Sequence, residues 1–514
     1  MTPMQQHSQP ADVGFDGGDL DCGNGLLLLI RRHINPLPRG GLLEIRSTEI
    51  SVDEDLPAWC RLTGNELVSV TKVGLQRSFL VCKGALSERV VLKPMSTERA
   101  ERVLSLRERV VPVTIPTSLP QPAAAPEIVP LSVMGIGSWP RPRWLMRALH
   151  EHLEGRLGDD EFEAAADDAV RLAVSAQIAA GVDVVSDGEQ RRDSYASFVG
   201  ARLDNCELIP LTDILPLVDD PEHFAEELRA LDVPAADVRH PFVFGPLGRS
   251  RPLVAHEVRY VRTLTDKPVK VALPGPYLLT RTMWLECLAD QAYASREALA
   301  ADIVRILREE IFFALAEGAA IVQLDEPVLS EVVFAAVTGS SRSFMCGALS
   351  ARGNVETELS FARELLHAVL DGVPRERVAM HMCRGNWTRD ESAALSGDYA
   401  PLIDLFKQLP IGMLLLETCT PRAGDLAILK ALPDDMRVGI GVVNQKLDAV
   451  ESVAAILAKA EDAIRLLGAE RVLLTPDCGF ATFADNPLAS SEVAAAKMRA
   501  IAEAAVILKA GYGV

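Results

Sequence analysis

Eight short apolar runs, each closing on polar or glycine residues, constrain this chain more than any other feature. They are VMGIGS (133–138), VDVVSDGE (182–189), VKVALPGP (269–276), AIVQLDEP (320–327), VAMHMCRGN (378–386), GMLLLETCT (412–420), RVGIGVVN (437–444) and VLLTPDCGF (472–480). Helix-length stretches such as FEAAADDAVRLAVSAQIAAG separate many of them, and β-rich runs alternating with such stretches predict repeated βα units. Eight units predict an α/β fold closed into a (β/α)8 barrel. A further run, PFVFGPLG (241–248), then falls in the long connection between the second and third strands as an insertion. A doubly wound open sheet is the competing arrangement; it would spread the strand ends along a line instead of gathering them at one mouth.

A barrel collects its chemistry where the strands end. The residues at those ends are Asp187 and Glu189, Asp325 and Glu326, His381 and Cys383, Glu417, Asn444, and Asp477 and Cys478. His381 and Cys383 are two positions apart, so in a strand both side chains project to the same face. With Cys478 and Glu417 they offer a mixed sulfur, nitrogen and oxygen set, which suits zinc better than magnesium or calcium. Either cysteine alone reads as an ordinary buried thiol. Strand-end placement, taken with the His381/Cys383 spacing, favours the metal.

Global properties narrow the function classes. With 514 residues, 48% of them hydrophobic, the chain is long enough for two domains. The Pro- and Ala-rich stretch VPVTIPTSLPQPAAAPEIVP (111–130) reads as a linker, which predicts a small domain over 1–95, a linker over 96–130 and the barrel over 131–514. Against 71 acidic residues stand 52 basic ones, a net charge of −19, so nucleic acid is not an expected partner. The N-terminus lacks a basic stretch followed by an apolar core, and no apolar run is long enough to span a bilayer. Nine scattered cysteines, an odd number, do not form a disulfide framework, and a cytoplasmic setting is expected. GIGSWP leads into proline and not into a helix, so no nucleotide cofactor is expected.

The segments IGS (136–138), DGEQRRD (187–193), LPGPYLL (273–279), LDEP (324–327), HMCRGN (381–386), ET (417–418), GIGVV (439–443) and PDCGF (476–480) occur in an order that resembles the catalytic barrel of cobalamin-independent methionine synthase. The resemblance implies that His381, Cys383, Glu417 and Cys478 bind a zinc ion that activates a substrate thiol. It also implies that Ile136, Gly137, Ser138, Glu189 and Asp325 hold the amino-acid part of homocysteine. Two departures stand out. The long-type enzymes carry a second barrel in front, and the end of the seventh strand has Asn444 and Lys446 where that type has Asp and His.

Residues 14–84 resemble a TusA-like sulfur-carrier domain, a small α+β fold whose thiol at a helix start carries persulfide sulfur. Cys22 matches that thiol, and a helix N-terminus would stabilise its thiolate. The flanking prolines of the family's loop are Gly23 and Gly25 here.

Two reactions follow. Zinc-dependent desulfurisation of a small carboxylated thione or thiol, with Asp325 or Glu189 activating water and Cys22 receiving sulfur, is favoured by the carrier-like domain and the altered seventh strand. Alkyl transfer to a zinc-bound thiolate is what the barrel resemblance implies most directly. A zinc-bound scaffold without catalysis is a third reading. The expected partners are a small sulfur-containing substrate, a sulfur acceptor and further copies of the chain, with no membrane. Lys446, Arg384 and Arg422 are candidates for a substrate carboxylate, as are Arg191 and Arg192, and Asn444 is a further candidate for binding the substrate. Trp139, Pro140 and Trp144 read either as the rim of the mouth or as packing.

Overall fold

The computed structural model describes residues 7, 9–21, 25–37, 40–86, 109–153, 155–210, 239–284, 292–338, 353–484 and 486–514. Cys22 and Gly23 lie outside the described residues, so the carrier-loop reading has no geometry to set beside it. The chain divides into two compact units, Met1–Ser105 and Leu106–Val514.

In the first unit, strand β1 (Val13–Asp16) leads to a helix (Leu27–Ile34), β2 (Leu42–Ser47), a second helix (Val52–Thr63), β3 (Glu66–Val73) and β4 (Gln76–Cys82). The sheet order is β1-β2-β4-β3, with β1 and β2 parallel and the other pairs antiparallel. Leu26 at the start of the first helix, Ile30 and Ile34 within it and Leu56 and Trp59 of the second bury against Leu43, Ile45, Phe79 and Val81 of the sheet. Alternation along β2 and β4 explains why those sheet residues share a face.

The second unit is a closed barrel. Strands β7 (Lys270–Pro274), β8 (Ile321–Asp325), β9 (Val378–Met382), β10 (Met413–Leu416), β11 (Arg437–Val443) and β12 (Val472–Pro476) pair in parallel, in chain order. The ring closes through single parallel bridges, Val133 with Leu474, Met134 with Val184, and Val185 with Val269. The first two staves are therefore bridges only, because the chain leaves the sheet early at Gly135 and Ser186 to form the loops of the site. Strands β5 (Asp204–Pro210) and β6 (Arg239–Gly248) form a separate antiparallel pair between the second and third staves. Helices packed outside the barrel begin at Ser295, Asn354, Ser452 and Ser490, whose side chains accept a backbone N–H of the first turn.

Period-2 alternation decides what faces inward. Ile321, Ala379, Met413, Leu415 and Leu473 fill the barrel with Met134, Ile136 and Val184, while Val322, Met380, Leu414 and Leu474 face the helices. Counting on by twos sends Gln323 and Asp325, His381 and Cys383, and Glu417 to the inner side of the mouth. Gly439 and Gly441 take inward positions on β11 because neighbours fill that space: a Cβ there would lie 2.4 Å from Leu415 Cδ2 and 1.9 Å from Asp477 Oδ1.

The stretch 111–130 is extended, as a linker would be, yet it is fastened to the barrel. Asn205 exchanges hydrogen bonds with both backbone groups of Val111, Ala123 N–H donates to Leu315 O, and Arg377 and Arg437 donate to the carbonyls of Ala123, Ile128 and Val129. Prolines that remove backbone donors leave the carbonyls of this strap as its main handles, and arginines at the starts of β9 and β11 take them. No described helix is long and apolar enough to cross a membrane.

Candidate metal centre and substrate cleft

His381, Cys383 and Cys478 meet at one point, their ligand atoms within 4.8 Å of one another and all three residues buried. His381 Nε2 lies 3.4 Å from Cys478 Sγ, which lies 3.5 Å from Cys383 Sγ. The other ring nitrogen, Nδ1, is 3.2 Å from Leu415 O. A carbonyl can only accept, so the proton sits on Nδ1 and Nε2 presents its lone pair to the thiols. Burial pulls the imidazole down to about 3 and pushes both thiols up. Neutral imidazole with two sulfurs is a donor set that fits a zinc ion, whose charge would displace the thiol protons.

Beside these donors opens a cleft of about 530 Å³ walled by Ile136, Ser138, Tyr195, Trp387, Thr482 and Phe483. Two carboxylates, Glu189 and Asp325, line it, and both are buried. Burial pushes Asp325 up to about 7, and it raises Glu189 as well. Glu189 holds a left-handed backbone, φ 56°, stabilised by its N–H donating to Asp187 Oδ1 and its carbonyl accepting from Arg141. Its Oε2 has no hydrogen-bond partner among the described residues. Gly137 lies so close that a Cβ there would stand 2.0 Å from Glu189 Oε1, and a Cβ on Gly479 would stand 2.2 Å from Ser138 Oγ. The IGS loop and the PDCG loop are thus moulded around the cleft by their glycines.

Other predicted residues also meet partners outside the donor cluster. Glu417 neighbours the Cys383 thiol but stands outside the three-donor cluster; its oxygens accept from Arg384 N–H at 2.8 Å and face Arg422 at 3.3 Å. Glu326 accepts from Tyr277 and Leu278 N–H at the start of the helix Pro276–Met283, and Asp477 accepts from Thr418 and Cys419 N–H. Asn444 donates to Glu391, and neither it nor Lys446 lines the cleft. None of the candidate arginines lines the cleft, and each is engaged by neighbours. Arg384 is bonded to Tyr399 and Gly397, Arg422 to Glu391, Arg191 to Glu163 and Asp167, and Arg192 to Glu257. Trp139 is buried edge-on against Phe480, while Trp144 is exposed. Sequence reasoning missed Tyr195, Asn386, Trp387, Thr482 and Phe483, which lie in loops past the strand ends. The only sequence signal was that Asn386 and Trp387 directly follow the His-x-Cys segment.

A family model described as "Cobalamin-independent synthase, Catalytic domain" matches residues 131–216 and 230–505. The chain belongs to this family. The methionine synthase of Thermococcus kodakarensis is 27% identical over 356 residues, 68% of this chain and 87% of that protein. That of Sulfolobus acidocaldarius is 25% identical over 358 residues, 69% and 86%. The solved structure of a B12-independent methionine synthase from Shewanella sp. W3-18-1, in complex with selenomethionine, covers 75% of this chain and 99% of that one, with TM-score 0.56 and 21% identity, which supports the fold. The N-terminal unit lies outside the family match.

These relatives overturn desulfurisation as the expected reaction. Proteins named methionine synthase match this barrel over nearly their whole length, so a second barrel in front is no requirement of that name. The altered residues that argued for a different chemistry, Asn444 and Lys446, stand off the cleft. Water activation by Asp325 or Glu189 and sulfur capture by Cys22 were roles within that reaction.

Proposed function

We propose that this enzyme transfers a methyl group to the thiolate of a small amino-acid thiol of the homocysteine type, with zinc held by His381, Cys383 and Cys478 and with Glu417 as the adjacent oxygen donor. One observation carries the reading: two thiols and an imidazole aimed at one point share a cleft with two buried carboxylates. A single small molecule bearing a thiol and an ammonium group can satisfy both. Zinc, when bound, lowers a thiol's pKa so that a nucleophilic thiolate exists at neutral pH. The chain's residues do the rest. Glu189 and Asp325 accept from the ammonium, and Ile136, Gly137 and Ser138 shape the wall on which the amino-acid part rests. Tyr195, Trp387 and Phe483 keep water from the sulfur, which preserves its reactivity toward the methyl donor.

The β-α-β-α-β-β order of the first unit, with Cys22 ahead of its first helix, supports a TusA-like origin. Glycines at 23 and 25 favour a docking or oligomerising role for it over sulfur transport. A cytoplasmic setting suits the free thiols on which the site depends.

The deciding experiment supplies zinc-loaded protein with homocysteine and, in turn, a methylcorrinoid and a methylated folate, and follows methionine by mass spectrometry beside a His381→Ala control. His381-dependent methionine supports the proposal. Absence of S-methyl product from every donor, with thiol addition to an epoxide instead, overturns it.

A further inference from the structure

Lys270 is a charged residue inside the barrel beneath the cleft, 2% exposed, projecting inward from β7. Its ammonium donates to Gly135 O at 2.5 Å, Ile136 O at 2.8 Å and Gln323 Oε1 at 2.5 Å. All three partners are carbonyl oxygens, which only accept, so the three N–H bonds of a charged ammonium are all used. Gln323, fully buried on the neighbouring strand β8, then has no freedom of orientation. Its oxygen faces the ammonium, and its Nε2 donates to Asp325 Oδ1 at 2.7 Å. The reversed amide would set an NH2 group against the ammonium and an oxygen against the carboxylate.

We infer that Lys270 and Gln323 are positioning residues that commit one oxygen of Asp325 to the barrel and leave the other for the cleft, and thereby give the site its preference for thiols that carry an ammonium group. The inference rests on the amino-acid thiol reading above. The same ammonium reaches the second carboxylate by another route. Holding the carbonyls of Gly135 and Ile136 fixes the loop in which Gly137 abuts Glu189. A neutral side chain at 270 would loosen both carboxylates together. Burial opposes the charges on Lys270 and Asp325, drawing the first down to about 7 and the second up to about 7, and each charge offsets part of the other's penalty. The pair is retained at a cost that an apolar barrel layer would avoid, which fits a role in recognition better than one in stability.

The test compares homocysteine with its des-amino analogue, 4-mercaptobutanoate, as methyl acceptors for the full-length zinc-loaded protein and its Gln323→Leu, Lys270→Met and doubly substituted variants. The wild type should favour homocysteine. Gln323→Leu should raise KM for homocysteine by about tenfold, the worth of a hydrogen bond to a charged group, and Lys270→Met by more; both should leave KM for the analogue unchanged, keep kcat within about twofold and retain zinc. The double variant should be no worse than Lys270→Met alone, because the residues act in series. Variants that weaken both thiols equally, or that lose zinc, would overturn the inference and reduce the chain to scaffold. A wild type indifferent to the amino group would instead sink the amino-acid thiol reading itself, and the inference with it. If Lys270→Met fails to fold, Gln323→Leu decides alone.

Discussion

At the end of β8, Asp325 turns into the cleft while the next residue, Glu326, turns away to take two helix N–H groups; at the end of β12, Cys478 joins the donor cluster while Asp477, one residue before, takes two loop N–H groups. The two strand ends split their polar pairs in the same way. One member holds the loop together, and the other is left for chemistry. The difference lies in where lone pairs go, since all four are polar residues at strand ends and all are buried. A strand-end carboxylate whose lone pairs are claimed by backbone donors is architecture; one with an oxygen facing the cleft is available to a ligand.

Substitutions can break this division, and the largest effect should come from the donor cluster. Cys478→Ser should abolish stoichiometric zinc and lower methyl transfer by about three orders of magnitude, consistent with losing several kcal/mol of stabilisation; metal analysis beside turnover checks both. Retained zinc would mean that Glu417 and solvent complete the site without Cys478. Asp325→Asn should keep zinc but raise KM for the aminothiol between about tenfold and a hundredfold. Glu326→Ala should do the reverse. It strands two buried N–H groups and costs about 2 kcal/mol of stability by denaturant melt, with KM unchanged. An altered KM there would erase the distinction between the two members of the pair.

The buried imidazoles give a second contrast. Burial pulls His240 down to about 3, as it does His381, but among the described residues His240 belongs to no group that could hold a metal ion. Its folded pKa lies below its unfolded value near 6.5, so the unfolded chain binds the extra proton first. Stability should therefore fall as pH drops below about 6.5, by up to about 1.4 kcal/mol per pH unit until about 3. His240→Gln should lessen that slope by its own share, since burial lowers His381 and His256 as well, with zinc content unaffected; an unchanged slope would assign the acid lability to those other groups. The smallest effect belongs to Lys446→Met. The Lys446 ammonium is buried with no hydrogen-bond partner among the described residues, so its loss should stabilise the chain by about 1 kcal/mol and leave turnover within about twofold. A collapse of methyl transfer would return the end of β11 to the site.

Much of this site was legible because alternation is a local property. The two-residue spacing of His381 and Cys383 sends both inward as soon as the segment is a strand, and the same parity places Asp325 and Glu417. What alternation cannot reveal is which partner reaches a side chain from far along the chain. Nothing near Glu417 in the sequence announces that Arg384 N–H and Arg422 meet its oxygens, and nothing near Asn444 announces its bond to Glu391. The strap at 111–130 read as a free linker because Pro-rich sequence shows no periodicity; the arginines that bind it lie some 250 to 310 residues away. Cleft walls such as Tyr195 and Phe483 sit in loops, where no repeating pattern marks a residue's direction.

The left-handed backbone at Glu189 carries a consequence for how such a protein can change. Glycine would adopt φ 56° without steric penalty, relieving about 1 kcal/mol of strain, yet it would delete a cleft carboxylate. A chain selected only for durability would drift toward Glu189→Gly, whereas one selected for the proposed methyl transfer would keep the strained glutamate. In a library of variants sorted once by heat resistance and once by growth that depends on the enzyme making its product, position 189 should give opposite answers.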